Sequence, residues 1–102
     1  MDTITDKIYT ITEIKDIVAP IAESHGVSKV YLFGSYARNE ATAKSDVDIW
    51  IESGKIKTLF GLGGFYADLE EKFQKPLSLL TDDGMDSQFY NRIKHEEVVI
   101  YG

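Results

Sequence analysis

Val30-Tyr31-Leu32-Phe33-Gly34-Ser35-Tyr36-Ala37-Arg38, followed eight residues after Arg38 by Asp46-Val47-Asp48, is the stretch that decides the fold. A short run of β-branched, apolar and aromatic residues closed by glycine predicts a mostly buried strand that ends in a sharp turn at Gly34-Ser35. Residues Tyr36 to Ala41 then suit about a turn and a half of helix. Strict alternation from Asp46 to Glu52 predicts a second strand, with Asp46, Asp48, Trp50 and Glu52 on one face and Val47, Ile49 and Ile51 on the core face.

Working outward from these strands, Ile14, Ile17, Val18 and Ile21 repeat at helical spacing. They predict a first helix over about 12 to 25, with Thr12 as N-cap, Gly26 as terminator and a kink or a tolerated local defect at Pro20. Phe60 to Gly64 reads as a glycine-interrupted flexible loop leading into a helix with Phe65, Leu69 and Phe73 on one face, stopped by Pro76. Leu77 to Thr81 reads as a third strand, Asp82-Asp83-Gly84 as a turn, and Ser87 to His95 as a last helix. Val98-Val99-Ile100-Tyr101 closes the pattern as a strand. The expected architecture is α/β (α+β): one domain over 1–102, its helices packed on a short mixed sheet.

Composition excludes several function classes. A net charge of -6, from 17 acidic and 11 basic side chains, leaves no basic run for a broad nucleic-acid surface. No apolar run reaches the roughly 20 residues needed to span a bilayer. No cysteine is present, so disulfides and thiolate metal sites are absent, and a cytoplasmic location is expected.

The chemistry lies in the first-quoted stretch. Carboxylates two apart on a strand have Cα atoms roughly 6 to 7 Å apart and point the same way, which suits joint ligation of a hard cation. Gly34-Ser35 adds backbone N–H groups and a hydroxyl where phosphate oxygens bind readily. Together they form the layout of a metal-dependent nucleotidyl-transfer site. For Arg38 two kinds of role compete: bracing a phosphate, or the structural one of pairing with a carboxylate or capping the short helix. Trp50 has two as well, stacking on a base or packing beneath a helix. Gly61, Gly63 and Gly64 match neither the P-loop nor the dinucleotide fingerprint. His25 and His95 stand at helix ends, where a cation is favoured by the dipole.

Phe33-Gly34-Ser35-Tyr36-Ala37-Arg38 and Ser45-Asp46-Val47-Asp48-Ile49, in this order and spacing, closely resemble the paired motif of the nucleotidyltransferase superfamily, in particular its minimal, single-domain MNT-type members. The resemblance extends over essentially the whole chain. It implies a polymerase-β-like palm, ATP as donor and Mg2+ as cofactor. Asp46 and Asp48 would be the catalytic metal ligands, with Gly34, Ser35 and Arg38 on the nucleotide. It further implies an antitoxin role beside a helical HEPN-type toxin, with a toxin tyrosine as acceptor of AMP. Asn39 stands where the family often has glycine, a position asparagine tolerates in left-handed geometry.

One departure limits that expectation. Active members carry a third acidic residue on the next strand, and the pattern places Ser78 there. Serine is neither a base at pH 7 nor a good magnesium ligand, and loss of general-base assistance costs about 10² to 10⁴ in rate. Glu52 lies roughly 13 Å along the strand from Asp48, and Asp82 and Asp83 read as turn-formers. The alternative reading is therefore a catalytically impaired homologue that acts as a protein-binding module.

Overall fold

Helix α1 (Ile11–His25) starts at a reciprocal capping box: the Thr10 hydroxyl accepts from the Glu13 amide, and the Glu13 carboxylate accepts from the Thr10 amide. The N-cap is thus Thr10 and not Thr12, because the Thr-x-x-Glu spacing satisfies two orphan donors at once. The helix runs through the exposed Pro20 and ends at Gly26, whose φ of 75° is left-handed. The structure, a computed structural model, describes residues 6–102, so the first five residues of the expected 1–102 unit lie outside the described residues.

Strand β1 (Lys29–Phe33) leads directly into the short helix α2 (Gly34–Ala37), which starts two residues earlier and stops four earlier than its composition suggests. Asn39, at φ 61°, takes the left-handed conformation that turns the chain away. Strand β2 (Val47–Glu52) follows, then helix α3 (Leu59–Phe73), strand β3 (Leu77–Thr81), helix α4 (Ser87–Ile93) and strand β4 (Val98–Tyr101). The strands order as β3-β2-β1-β4, with β1 antiparallel to β2 and β4 and with β2 parallel to β3. Four helices packed on a four-stranded mixed sheet give the expected α+β architecture.

The glycine-rich segment read as a loop is helical. Thr58 caps α3 by accepting from the Gly61 amide, and Phe65, Leu69 and Phe73 are wholly buried along one side. That burial outweighs the roughly 1 kcal/mol by which each helical glycine disfavours the helix. The helix ends at Gln74, left-handed at φ 56°, two residues before Pro76. Similarly, α4 stops at Ile93 rather than His95.

Both faces of the sheet are covered. Val30, Leu32, Val47, Ile49 and Ile51 pack with Ile14, Val18 and Ala22 of α1 and Phe65, Leu69 and Phe73 of α3. The other face carries a smaller aromatic cluster of Tyr31, Phe33 and Trp50 against Ile93, with Phe89 and Tyr90 of α4 packed on it. Trp50 stacks on Tyr31 with centroids 4.0 Å apart, meets the Tyr90 ring edge-on and donates from its indole nitrogen to Glu97 at 3.1 Å. Of its two sequence readings, packing under a helix is the one observed.

Candidate active site

Asp48 sits where three segments converge. It pairs in register with Phe33 of β1 on one side and with Ser78 of β3 on the other. The Gly34 turn lies over it: a Cβ on Gly34 would overlap the Asp48 carboxylate, and Gly34 has a φ of 76°. Glycine is required there both by the left-handed backbone and by the close approach of the side chain beneath. Asp46 precedes β2 and is exposed. Its approach is fixed by the loop before it, where the Ser45 hydroxyl accepts from the Thr42 amide at 2.8 Å.

Lys75 holds the same loop from below. Only 2% exposed, it donates from Nζ to the Ala43 carbonyl at 2.7 Å, while the Val47 amide donates to the Pro76 carbonyl at 3.1 Å. A lysine buried to this degree needs an acceptor close by, and the carbonyl supplies one. The segment carrying Asp46 is thereby tied to the entry of β3.

The Asp48 carboxyl is pushed above the usual carboxylate range, chiefly by desolvation. The nearby Asp46 and Glu96 charges push the same way, while a hydrogen bond from Ser78 and the Arg38 charge oppose them. Ser78 thus stands beside Asp48, in the register expected from its pattern, and supplies a hydroxyl where a carboxylate was sought. Among the described residues, no three His, Cys, Asp or Glu side chains converge as a metal cage. The Asp46–Asp48 pair still suits magnesium, which is commonly held by one or two carboxylates and completed by substrate phosphates and water.

Arg38 follows α2 and forms ion pairs. Its Nε donates to Glu40 at 3.0 Å, and its Nη1 donates to both oxygens of Glu96 at 2.8 and 3.3 Å. The carboxylate-pairing reading is therefore realised in this structure, through two partners that the sequence reading did not name. Glu40 is visible two positions downstream. Glu96, 58 positions away, has no local signal. Ser35 is half-buried at the turn, and its backbone carbonyl accepts from the Glu40 amide at 2.8 Å.

The residues set aside from the site have structural partners. Glu52 accepts from the Tyr31 hydroxyl at 3.1 Å, and Asp82 accepts from the Ser53 amide and hydroxyl. His25 meets Asp68 at 2.7 Å rather than serving only the helix dipole. A groove of about 390 Å3 lined by Ser53, Lys57, Thr58 and Asp82 lies at the far end of β2 and contains none of the expected site residues.

Residues 14–102 match the family described as Polymerase beta, Nucleotidyltransferase. The chain is 41% identical over 88 residues to a Methanocaldococcus jannaschii protein named as a candidate protein adenylyltransferase, covering 86% of this chain and 95% of that one. It is 34% identical over 90 residues to the protein adenylyltransferase MntA of Thermococcus cleftensis, covering 84% and 87% of the two chains. Among solved structures, a Shewanella oneidensis complex of a tri-AMPylated HEPN toxin with its MNT antitoxin contains a chain of the same fold. Its TM-score is 0.69 at 13% identity, with 91% of this chain and 73% of that chain covered.

Proposed function

The chain belongs to the polymerase beta nucleotidyltransferase family, and from that premise we propose that it transfers AMP from ATP to a hydroxyl, a tyrosine hydroxyl, of a partner protein. The observation that carries the proposal is the convergence of the Gly34-Ser35 turn on Asp48, with Asp46 exposed beside it. In the transfer, the acceptor oxygen forms a bond to the α-phosphorus, the bond from that phosphorus to the bridging oxygen breaks, and pyrophosphate leaves. Gly34 and Ser35 orient the triphosphate through backbone N–H groups and the hydroxyl. Asp46 and Asp48 would hold magnesium, which would supply neutralisation of the charge that develops on the phosphates. The acceptor proton goes to solvent, because Ser78 is no base at neutral pH.

A protein acceptor is supported by the names of the relatives and by the surface. Leu59 and Phe60 at the start of α3 are 85% and 94% exposed, an uncovered apolar patch of the kind that partners use. The proposed partner is a HEPN-type helical toxin, for which this chain acts as antitoxin in the cytoplasm. Among the described residues no helix is long and apolar enough to cross a membrane.

Ser78 beside Asp48 favours a second reading, a binding module that neutralises its partner by occlusion. One experiment separates the two. Incubated with ATP, magnesium and the partner, the wild-type protein should add one AMP residue to the partner by intact mass spectrometry, and Asp46→Asn and Asp48→Asn should add none. Neutralisation that survives both substitutions, with no adduct in any sample, establishes occlusion instead.

A further inference from the structure

Arg38 is held in a way that an isolated surface arginine is not. Glu40 takes Nε from within the same loop, while Glu96 reaches across from the connection between α4 and β4 and takes Nη1 with both oxygens. The Glu40 side chain is 65% exposed and the Glu96 side chain only 22%, so the long-range partner is the less screened of the two. The backbone of Glu96 is itself pinned, its amide donating to the Ile93 carbonyl at 2.9 Å. Among the described residues Nη2 has no acceptor, so the guanidinium retains one NH2 group for a ligand.

The clamp adjoins the phosphate turn. The Arg38 amide donates to the Gly34 carbonyl at 3.1 Å, and both Arg38 and Glu96 act electrostatically on the Asp48 carboxyl. We infer that Glu96 is a positioning residue: it fixes the Arg38 guanidinium beside the Gly34-Ser35 turn so that the free Nη2 meets a phosphate oxygen of the donor nucleotide. The inference rests on the nucleotidyltransferase reading of the site. An unclamped arginine loses side-chain freedom when it binds; one fixed in advance has already lost it, so Glu96 raises affinity without touching the nucleotide. The fork geometry matters, since two edges occupied by carboxylates leave a defined direction for the third nitrogen.

Calorimetric titration of ATP into the full chain, in magnesium and again in EDTA, tests this with a readout that does not depend on turnover. Glu96→Ala should weaken binding about tenfold in both conditions, the worth of one charge-assisted hydrogen bond. Arg38→Ala should weaken it at least as much, and the double variant no more than Arg38→Ala alone. The isosteric Glu96→Gln should fall between wild type and Glu96→Ala, and serves in its place if the alanine variant melts early. Unchanged or tighter binding in the Glu96 variants overturns the inference, as does full additivity with Arg38→Ala, which would make Glu96 a structural brace. Absence of ATP binding by the wild-type protein refutes the nucleotidyltransferase reading itself, and the inference with it.

Discussion

Ser78→Asp places the missing carboxylate directly opposite Asp48 in the parallel β2–β3 pair. Neighbouring strands lie about 4.8 Å apart, so two ionised carboxylates would stand roughly 5 Å from one another. At an effective dielectric of about 20 their repulsion is about 3 kcal/mol, and solvent at this half-open site reduces it to about 2. Removal of the Ser78 hydroxyl, which opposes the upward push on the Asp48 carboxyl, adds to the deficit. In a chain of 102 residues a change of 1 kcal/mol moves Tm by roughly 4 to 8 °C, so the variant should melt 10 °C or more below wild type at pH 7 in EDTA. The deficit should shrink near pH 4, where the carboxylates protonate, and shrink again on addition of magnesium, far more than wild type responds. If the site lacks only its third carboxylate, AMP transfer should rise by about 10² to 10⁴. Equal melting of the two proteins in EDTA refutes the register. A deficit that magnesium leaves untouched refutes the carboxylates as a metal clamp.

Asp48→Asn should separate stability from function. The Asp48 carboxyl titrates above its unfolded range, so its neutral form suits the fold, and that contribution is lost as pH rises through the folded value. The asparagine variant avoids the loss and should be more stable than wild type at pH 7, with the gain vanishing in acid where the wild-type carboxyl is also neutral. It should show no AMP transfer, and a lower Tm than wild type at pH 7 refutes the assignment. Gly34→Ala requires left-handed geometry at roughly 1 to 2 kcal/mol, and its Cβ would also press on the Asp48 side chain, 3.0 Å from Cγ. Thermal melting should show a drop of roughly 10 °C, and calorimetry a loss of ATP affinity; wild-type values in both measurements refute the close approach.

The strands were legible because their signal is local. Alternation from Asp46 to Glu52 and the apolar run from Val30 to Phe33 need no knowledge of what packs against them; the pattern of Leu77 to Thr81 put Ser78 at the position of the family's third acid, and its pairing with Asp48 emerges only from the parallel sheet register. Signals that depend on distant partners were not. Gly61, Gly63 and Gly64 look like a loop until the burial of Phe65, Leu69 and Phe73 overrides their propensity. Thr12 resembles an N-cap as well as Thr10 does, and the choice rests on Glu13 reaching back. The bond from buried Lys75 to the Ala43 carbonyl, and the clamp of Glu96 on Arg38, join residues 32 and 58 positions apart that share no periodicity.

The Trp50 packing has an optical consequence. Trp50 is the sole tryptophan, lies two residues from Asp48 on the same sheet face and is stacked on Tyr31. Its indole nitrogen is bonded to Glu97, the immediate neighbour of the residue that clamps Arg38. Any rearrangement of that connection changes the polarity around one assigned chromophore. Intrinsic emission therefore gives a label-free view of the site, with no second indole to obscure it.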